Sequence, residues 1–298
     1  MMRLPDSQAV TYTLAGASIV CAVLVTAVYV AGGQLYPSLQ LQQLGGNTLN
    51  LDPGAISAKA AIVYNPATKS VLFDKNAEAP LLLASLTKLM TATAVLAEMD
   101  DSTRVTITAA DLKPDGDWGF KPGEVWSLHD LLTFGLVVSS NDAMAAAANA
   151  APGDIITTMN LEAARLGLTQ TYFSNPTGLD VDLETAGAYG SAHDMALLAA
   201  DFLAKHPALF EATTAHSISI TSQGNTLTAT STDVPLLDIP GLIGAKTGYT
   251  DLAGGNLVAA VDIGIGHPFI IAVLGSTRDG RFKDVQTLVS AVRAAAIR

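Results

Sequence analysis

The spacing of hydrophobic positions changes several times along the chain. Two short apolar runs, "AAIVYN" and "VLFDKN", are joined by the turn-like "PATKS" and predict adjacent strands. Leu86, Leu89 and Met90 then recur at helical spacing, which predicts a helix opened by Ser85 and running to about Met99. "RVTITAADL" reads as a strand and a turn, and "KPDGDWGFKPGE" as a loop. Two further helices begin on capping patterns, Ser127 with Asp130 and Ser191 with Asp194. Between them "NDAMAAAANAA" and "IITTMNLEAARLGL" are helical. From His216 onward the pattern turns to strands: "HSISITS", "TLTATS", "GLIGAKTGY", "GGNLVAAVDIG" and "PFIIAVLGS". "RFKDVQTLVSAVRAAAI" closes the chain as a helix.

Strands at both ends of this region and helices in the middle specify an α+β domain over residues 58–298. The terminal strands have to share a sheet to be covered, and short turns between the last ones favour antiparallel pairing. The helices then form a lobe inserted between the two halves of the sheet. No internal repeat is present.

Ahead of this domain, Thr11 to Gly33 carries no charge and is rich in Ala, Val, Ile and Leu. Its length suits a transmembrane helix. Arg3 and the α-amino group precede it, and no Lys or Arg follows until Lys59. Residues 1–10 are therefore expected in the cytoplasm, 11–33 as a single-pass signal anchor in the cell membrane, 34–57 as a linker and the domain outside. Cleavage after Gly32 would instead release a secreted protein. Cys21, the only cysteine, lies in mid-run among apolar residues and does not fit a lipoprotein site.

The net charge of −11 argues against a nucleic-acid partner, which would require clustered Lys and Arg. The five histidines are scattered singly and no His/Cys group has metal spacing, so neither a metal nor a cofactor is expected.

One local feature works against helix stability. An N-cap serine prefers Glu or Gln three residues on, but Ser85 is followed by Lys88. A cation in the first turn opposes the helix dipole at a cost of roughly 0.3–1 kcal/mol. The same spacing places both side chains on one helix face. A serine needs a base to become a nucleophile, and a lysine buried near another cation loses its proton readily. Alone, the pair would read as a cap and a solvated lysine. It is accompanied by "SSN", Ser139 to Asn141, between two helices, and by "KTG", Lys246 to Gly248, on a predicted strand. S-x-x-K, S-D-N and K-T-G occur together in penicillin-binding proteins and class A β-lactamases. The middle motif matches at its outer two positions.

With these motifs, and with "LLTFGLVVSSNDAMAAA", "MNLEAARLGLTQTYFSNPTGLD" and "GAKTGYTDLAGGNLVAAV", residues 58–298 resemble the low-molecular-mass D-alanyl-D-alanine carboxypeptidases. The resemblance implies a β-lactamase/transpeptidase-like fold and a serine hydrolase. Ser85 would attack the peptide carbonyl between two D-alanines of a peptidoglycan stem peptide, with Lys88 as base. Ser139 would relay a proton to the leaving amine, helped by Lys88 or Lys246. Asn141 would hold the substrate amide and orient Lys88. Lys246 and Thr247 would bind the terminal carboxylate, and Gly248 would let the strand approach the substrate. The backbone N–H groups of Ser85 and Tyr249 would form the oxyanion hole. β-Lactams would act as covalent inhibitors, and the membrane would be a partner through the N-terminal helix.

The chain departs from that pattern in two places. "TATSTDVP" stands where relatives carry an Asn-Thr-Asn-like stretch, and Tyr249 replaces a common histidine. No sequence is left for a C-terminal β-domain, so the N-terminal span would be the anchor. An endopeptidase acting on D-alanyl cross-links fits the same motifs. A class A β-lactamase would need a glutamate such as Glu162 to activate water. A β-lactam sensor would need a larger cytoplasmic part, and an inactive homologue would be expected to lack a motif residue.

Overall fold

The structure, a computed structural model, describes residues 48–296 apart from Gln223 and Ile265. The expected membrane span over 11–33, with Cys21, lies outside the described residues, as do residues 34–47 of the expected linker. Among the described residues no helix is long and apolar enough to cross a membrane.

In chain order, β1 (Ala60–Asn65) and β2 (Ser70–Lys75) form a hairpin. Short β3 (Leu81–Leu82) leads through a 3-10 turn, Ala84–Leu86, into α1 (Thr87–Glu98). β4 (Arg104–Thr106) pairs with β5 (Val125–Ser127) across the intervening loop. α2 (Leu128–Val137), α3 (Asn141–Ala150) and α4 (Ile155–Leu166) follow. Next come β6 (Tyr172–Phe173), β7 (Ala188–Gly190), α5 (Ala192–Lys205) and α6 (Pro207–Ala212). The chain ends with β8 (Ser217–Ser222), β9 (Asn225–Thr230), β10 (Leu242–Thr250), β11 (Gly254–Asp262), β12 (Pro268–Ser276) and α7 (Gly280–Ala296).

The main sheet has the order β10-β11-β12-β1-β2, with every neighbouring pair antiparallel. The first and last strands meet as the sequence predicts, Ala60 opposite Leu274 and Tyr64 opposite Ile270. Both faces of this sheet are covered. Along β1, Ala60, Ile62 and Tyr64 join the core of the helical lobe with Leu89 and Met195. Ala61 and Val63 join a second core with Val285 and Leu288 of α7. All six residues of β1 are buried, which is why the strand reads as a continuous apolar run rather than an alternating one. A one-residue slip in register would exchange the two cores.

Both predicted helix caps form: Ser127 Oγ accepts the Asp130 N–H and Ser191 Oγ accepts the Asp194 N–H, each at 3.0 Å. Two other features depart from a uniform run of strands and a linker. The β8–β9 hairpin forms its own two-stranded sheet. Ile220 and Leu227 are buried, whereas Ser219 bonds Thr228 at 2.6 Å and Thr221 bonds Thr226 at 2.9 Å on an exposed face. A strand with one wet face does not suit a sheet covered on both sides. The last residues of the stretch read as a linker lie against the domain. Leu49 N–H donates to Leu72 O at 2.6 Å, and Ile56 is buried in the α7 core.

This topology leaves β10 as an edge strand and packs it against the Ala84–Leu86 turn. Ile62→Ala, in the lobe core, is expected to cost about 2–5 kcal/mol in urea-induced unfolding. Leu161→Ala, on a side chain 65% exposed, is expected to stay within about 0.5 kcal/mol of the parent.

Candidate active site

The helix expected to open at Ser85 begins two residues later, at Thr87. Ser85 sits in the middle of the 3-10 turn, and α1 starts with no side-chain cap. Its neighbour Ala84 has φ +49°, in the left-handed region that side chains rarely adopt. Thr87 Oγ1 donates to Ala84 O at 2.8 Å and holds the turn. Gly178 makes the conformation possible from the other side, because a Cβ there would lie 1.9 Å from Ala84 O. The serine hydroxyl is thus released from capping and turned towards Lys88.

Lys88 is fully buried in the first turn of α1. Its Nζ lies 2.8 Å from Ser85 Oγ, 2.7 Å from Asn141 Oδ1 and 2.8 Å from Thr177 O. The amide and carbonyl oxygens can only accept. A neutral amine has two hydrogens and one lone pair, so donation to both oxygens leaves the lone pair for the Ser85 hydroxyl. The electrostatics favour that state. Burial drives the Lys88 pKa well below the ordinary lysine value, and the positive charge of Lys246 pushes it the same way. Lys88 therefore has the geometry and the basicity of a general base.

The "SSN" segment divides its work. Ser140 Oγ caps α3 by accepting the Ala143 N–H at 3.1 Å. That leaves Ser139, at φ +62°, to project its side chain elsewhere. Its Oγ accepts from Lys246 Nζ at 3.0 Å. Asn141, the first residue of α3, accepts from Lys88 and donates its Nδ2 to Asp115 O. Ser139 is therefore coupled directly to Lys246, and Asn141 directly to Lys88.

On β10, Lys246 is fully buried and also donates to Thr247 O at 2.9 Å. Burial lowers its pKa to about 8, with Asp233 opposing the shift and Arg281 adding to it. Thr247 Oγ1 donates to Thr232 Oγ1 at 2.7 Å. Gly248 lies directly against the Ala84–Leu86 turn. A Cβ there would lie 2.8 Å from Leu83 O and 3.2 Å from Ser85 N. Tyr249 is 40% exposed, and the Arg278 guanidinium stands 5.2 Å from its ring centroid.

Several contributors were not singled out from the sequence. Thr177 acts through its backbone oxygen, held by an Asn175 side chain that accepts the N–H groups of Thr177 and Gly178 at 3.1 and 2.7 Å. The Asn-Pro-Thr-Gly run is a turn signal that marks this loop but not its target. Asn256 on β11 donates to Leu82 O at 2.7 Å and fixes the strand ahead of the Ser85 turn. Arg281 Nη1 donates to Gly248 O at 2.6 Å. Glu162 is bonded instead to Arg165 Nε at 2.6 Å on α4. Among the described residues no group of three or more His, Cys, Asp or Glu could hold a metal ion.

The model of a family described as D-alanyl-D-alanine carboxypeptidase matches residues 47–278. A D-alanyl-D-alanine carboxypeptidase of Bacillus subtilis is 32% identical over 240 residues, covering 76% of this chain and 59% of that protein. Another, of Mycobacterium tuberculosis, is 33% identical over 203 residues, 66% of this chain and 68% of that protein. The fold is similar to a D-alanyl-D-alanine carboxypeptidase crystal structure from Mycobacterium tuberculosis, with TM-score 0.73, 28% identity and coverage of 84% of this chain and 94% of that one. It is also similar to a penicillin-binding protein from Listeria monocytogenes in its ampicillin-bound form, with TM-score 0.69, 32% identity and coverage of 82% and 98%. The chain spans about three fifths of the length of the Bacillus relative. With the family match running from ahead of β1 to the residues that precede α7, this chain belongs to the D-alanyl-D-alanine carboxypeptidase family of serine peptidases.

Proposed function

We propose that this chain hydrolyses the terminal D-alanyl-D-alanine bond of peptidoglycan stem pentapeptides through an acyl-enzyme on Ser85. The observation that carries the reading is the Lys88 amine. It is buried, with its nitrogen 2.7 Å from Asn141 Oδ1 and 2.8 Å from both Thr177 O and Ser85 Oγ, so a neutral amine that donates to the two carbonyl oxygens turns its lone pair to Ser85.

Ser85 Oγ attacks the carbonyl carbon as its proton passes to Lys88 Nζ. The oxyanion is held by the backbone N–H groups of Ser85 and Tyr249; loss of one such donor typically costs about 2.7–4 kcal/mol. The C–N bond breaks, and the leaving amine takes a proton through Ser139, which Lys246 can reprotonate. Lys246 and Thr247 receive the terminal carboxylate. Water then attacks the ester carbonyl, its proton passing through Ser139 to restore Lys246, and the C–O bond breaks as Lys88 returns its proton to Ser85 Oγ. A β-lactam would acylate the same oxygen. The uncharged segment 11–33 and the positive charge ahead of it support an anchor that leaves the domain outside the cytoplasm, where such peptides are found.

An endopeptidase acting on cross-links is the second reading. It is favoured by similarity to a D-alanyl-D-alanine endopeptidase of Pseudomonas aeruginosa, 30% identical over 132 residues. The two readings share every step above and differ in the peptide accepted.

Intact mass after incubation with benzylpenicillin is expected to show an adduct on the parent and none on Ser85→Ala. Free D-alanine from a pentapeptide supports the carboxypeptidase, and cleavage of cross-linked dimers alone supports the endopeptidase. Folded parent protein with neither adduct nor product would contradict both.

Activity is expected to follow a bell in pH. Lys88 acts when neutral, so activity is lost as pH falls through its lowered pKa. Lys246 acts when charged, so activity is lost as pH rises through about 8. A kcat/KM that keeps rising above pH 9 would contradict the Lys246 assignment.

Gly248→Ala forces the strand and the nucleophile turn apart. It is expected to lower the benzylpenicillin acylation rate about 100-fold, with the fold intact by circular dichroism.

A further inference from the structure

Beside the carboxylate subsite lies a charge that the mechanism above does not use. Asp233 follows β9 and is fully buried, yet neither carboxylate oxygen has a hydrogen-bond partner among the described residues. Its backbone is pinned. The N–H donates to Ser231 Oγ at 3.0 Å, and the carbonyl accepts from Leu236 N–H at 2.8 Å around the turn Val234–Leu236. The hydroxyls of Thr232 and Thr247 border the carboxylate closely enough to favour its charged form, although neither meets hydrogen-bond geometry with it. Thr247 donates to Thr232 at 2.7 Å, and Thr232 to Val137 O at 3.4 Å.

The Thr232–Thr247 bond sets Asp233 beside the β10 segment that carries Lys246, and Arg281 of α7 is bonded to Gly248 O on the same segment; both cations act on the carboxylate from beyond ion-pair distance. Arg281 has its own neighbours in Arg278, Asp279 and Tyr249, and its Nε lacks a partner. Lys246 Nζ donates only to neutral oxygens, those of Ser139 and Thr247. Burying an ammonium without an anion favours its neutral form. Asp233 is the anion that acts on it.

We propose that Asp233 is a positioning residue: a buried counter-anion that keeps the Lys246 ammonium charged, ready for the terminal carboxylate of the substrate. The proposal rests on the peptidase reading. Asp233 is ionised above about 6 and Lys246 charged below about 8, so the pair is complete between those values. With Asp233 neutralised, the burial and Arg281 contributions remain and both lower the Lys246 pKa. A carboxylate that instead repelled the substrate would have the opposite effect.

The test is kcat/KM against pH for D-alanine release from a pentapeptide, parent beside Asp233→Asn. The alkaline limb is expected to move about one pH unit to lower pH, giving roughly a tenfold loss at pH 9 and a much smaller loss at pH 6. The loss should lie in KM. An unmoved limb, a uniform loss at every pH, or a gain between pH 7 and 8 would overturn the proposal. Should the variant not fold, the 13C carboxyl resonance of Asp233 in the unaltered protein decides the point. Ionisation by pH 7 supports the counter-anion, and a neutral carboxyl persisting through pH 8 overturns it. A parent with neither product nor benzylpenicillin adduct defeats the peptidase reading and this one with it. Failure of the proposal alone leaves the parent active.

Discussion

The burial of the Lys88 amine is the constraint on which the rest of this structure turns. An ammonium taken out of water without a counter-ion costs several kcal/mol, whereas a neutral amine needs only its hydrogens satisfied. Asn141 and Thr177 supply two acceptors, one from the start of α3 and one from the loop after β6. Ser85 supplies the third neighbour from its own turn. Three separate segments therefore converge on one nitrogen, and moving any of them would expose or strand it. The left-handed Ala84, the glycine at 178 and the Asn175 cap are local devices that allow this convergence.

The same site holds two buried lysines whose surroundings favour different protonation. Lys88 has only neutral groups in contact and a second cation nearby, which together favour the amine. Lys246 has Asp233 to offset its burial, which favours the ammonium. The environments bias one residue type towards an amine at Lys88 and an ammonium at Lys246, the pattern by which acid and base roles are divided at neutral pH. The edge position of β10 brings the second lysine within reach of Ser139 and sets Gly248 against the Ser85 turn.

Much of this was legible in the sequence where neighbours in space are also near in the chain. The spacing of Ser85 and Lys88, the capped helices at Ser127 and Ser191, and the apolar strands at both ends all express local periodicity. The helix expected to open at Ser85 starts two residues later because Ala84–Leu86 form a 3-10 turn packed against Gly178. Thr177 acts through a backbone atom 89 residues away from Lys88, and a carbonyl leaves no residue-type signature. Asp233 and Arg281 carry ordinary charged side chains whose burial is decided by the packing of β10 and α7, not by their neighbours in sequence.

The most direct test of the account is the protonation state of Lys88 in the resting protein. Side-chain 15N NMR of lysine-labelled protein at pH 7.5 is expected to show one lysine nitrogen as a neutral amine, lost in Lys88→Met while the other lysines remain charged. An ammonium at Lys88 under those conditions would contradict the arrangement argued here and leave Ser85 without its base.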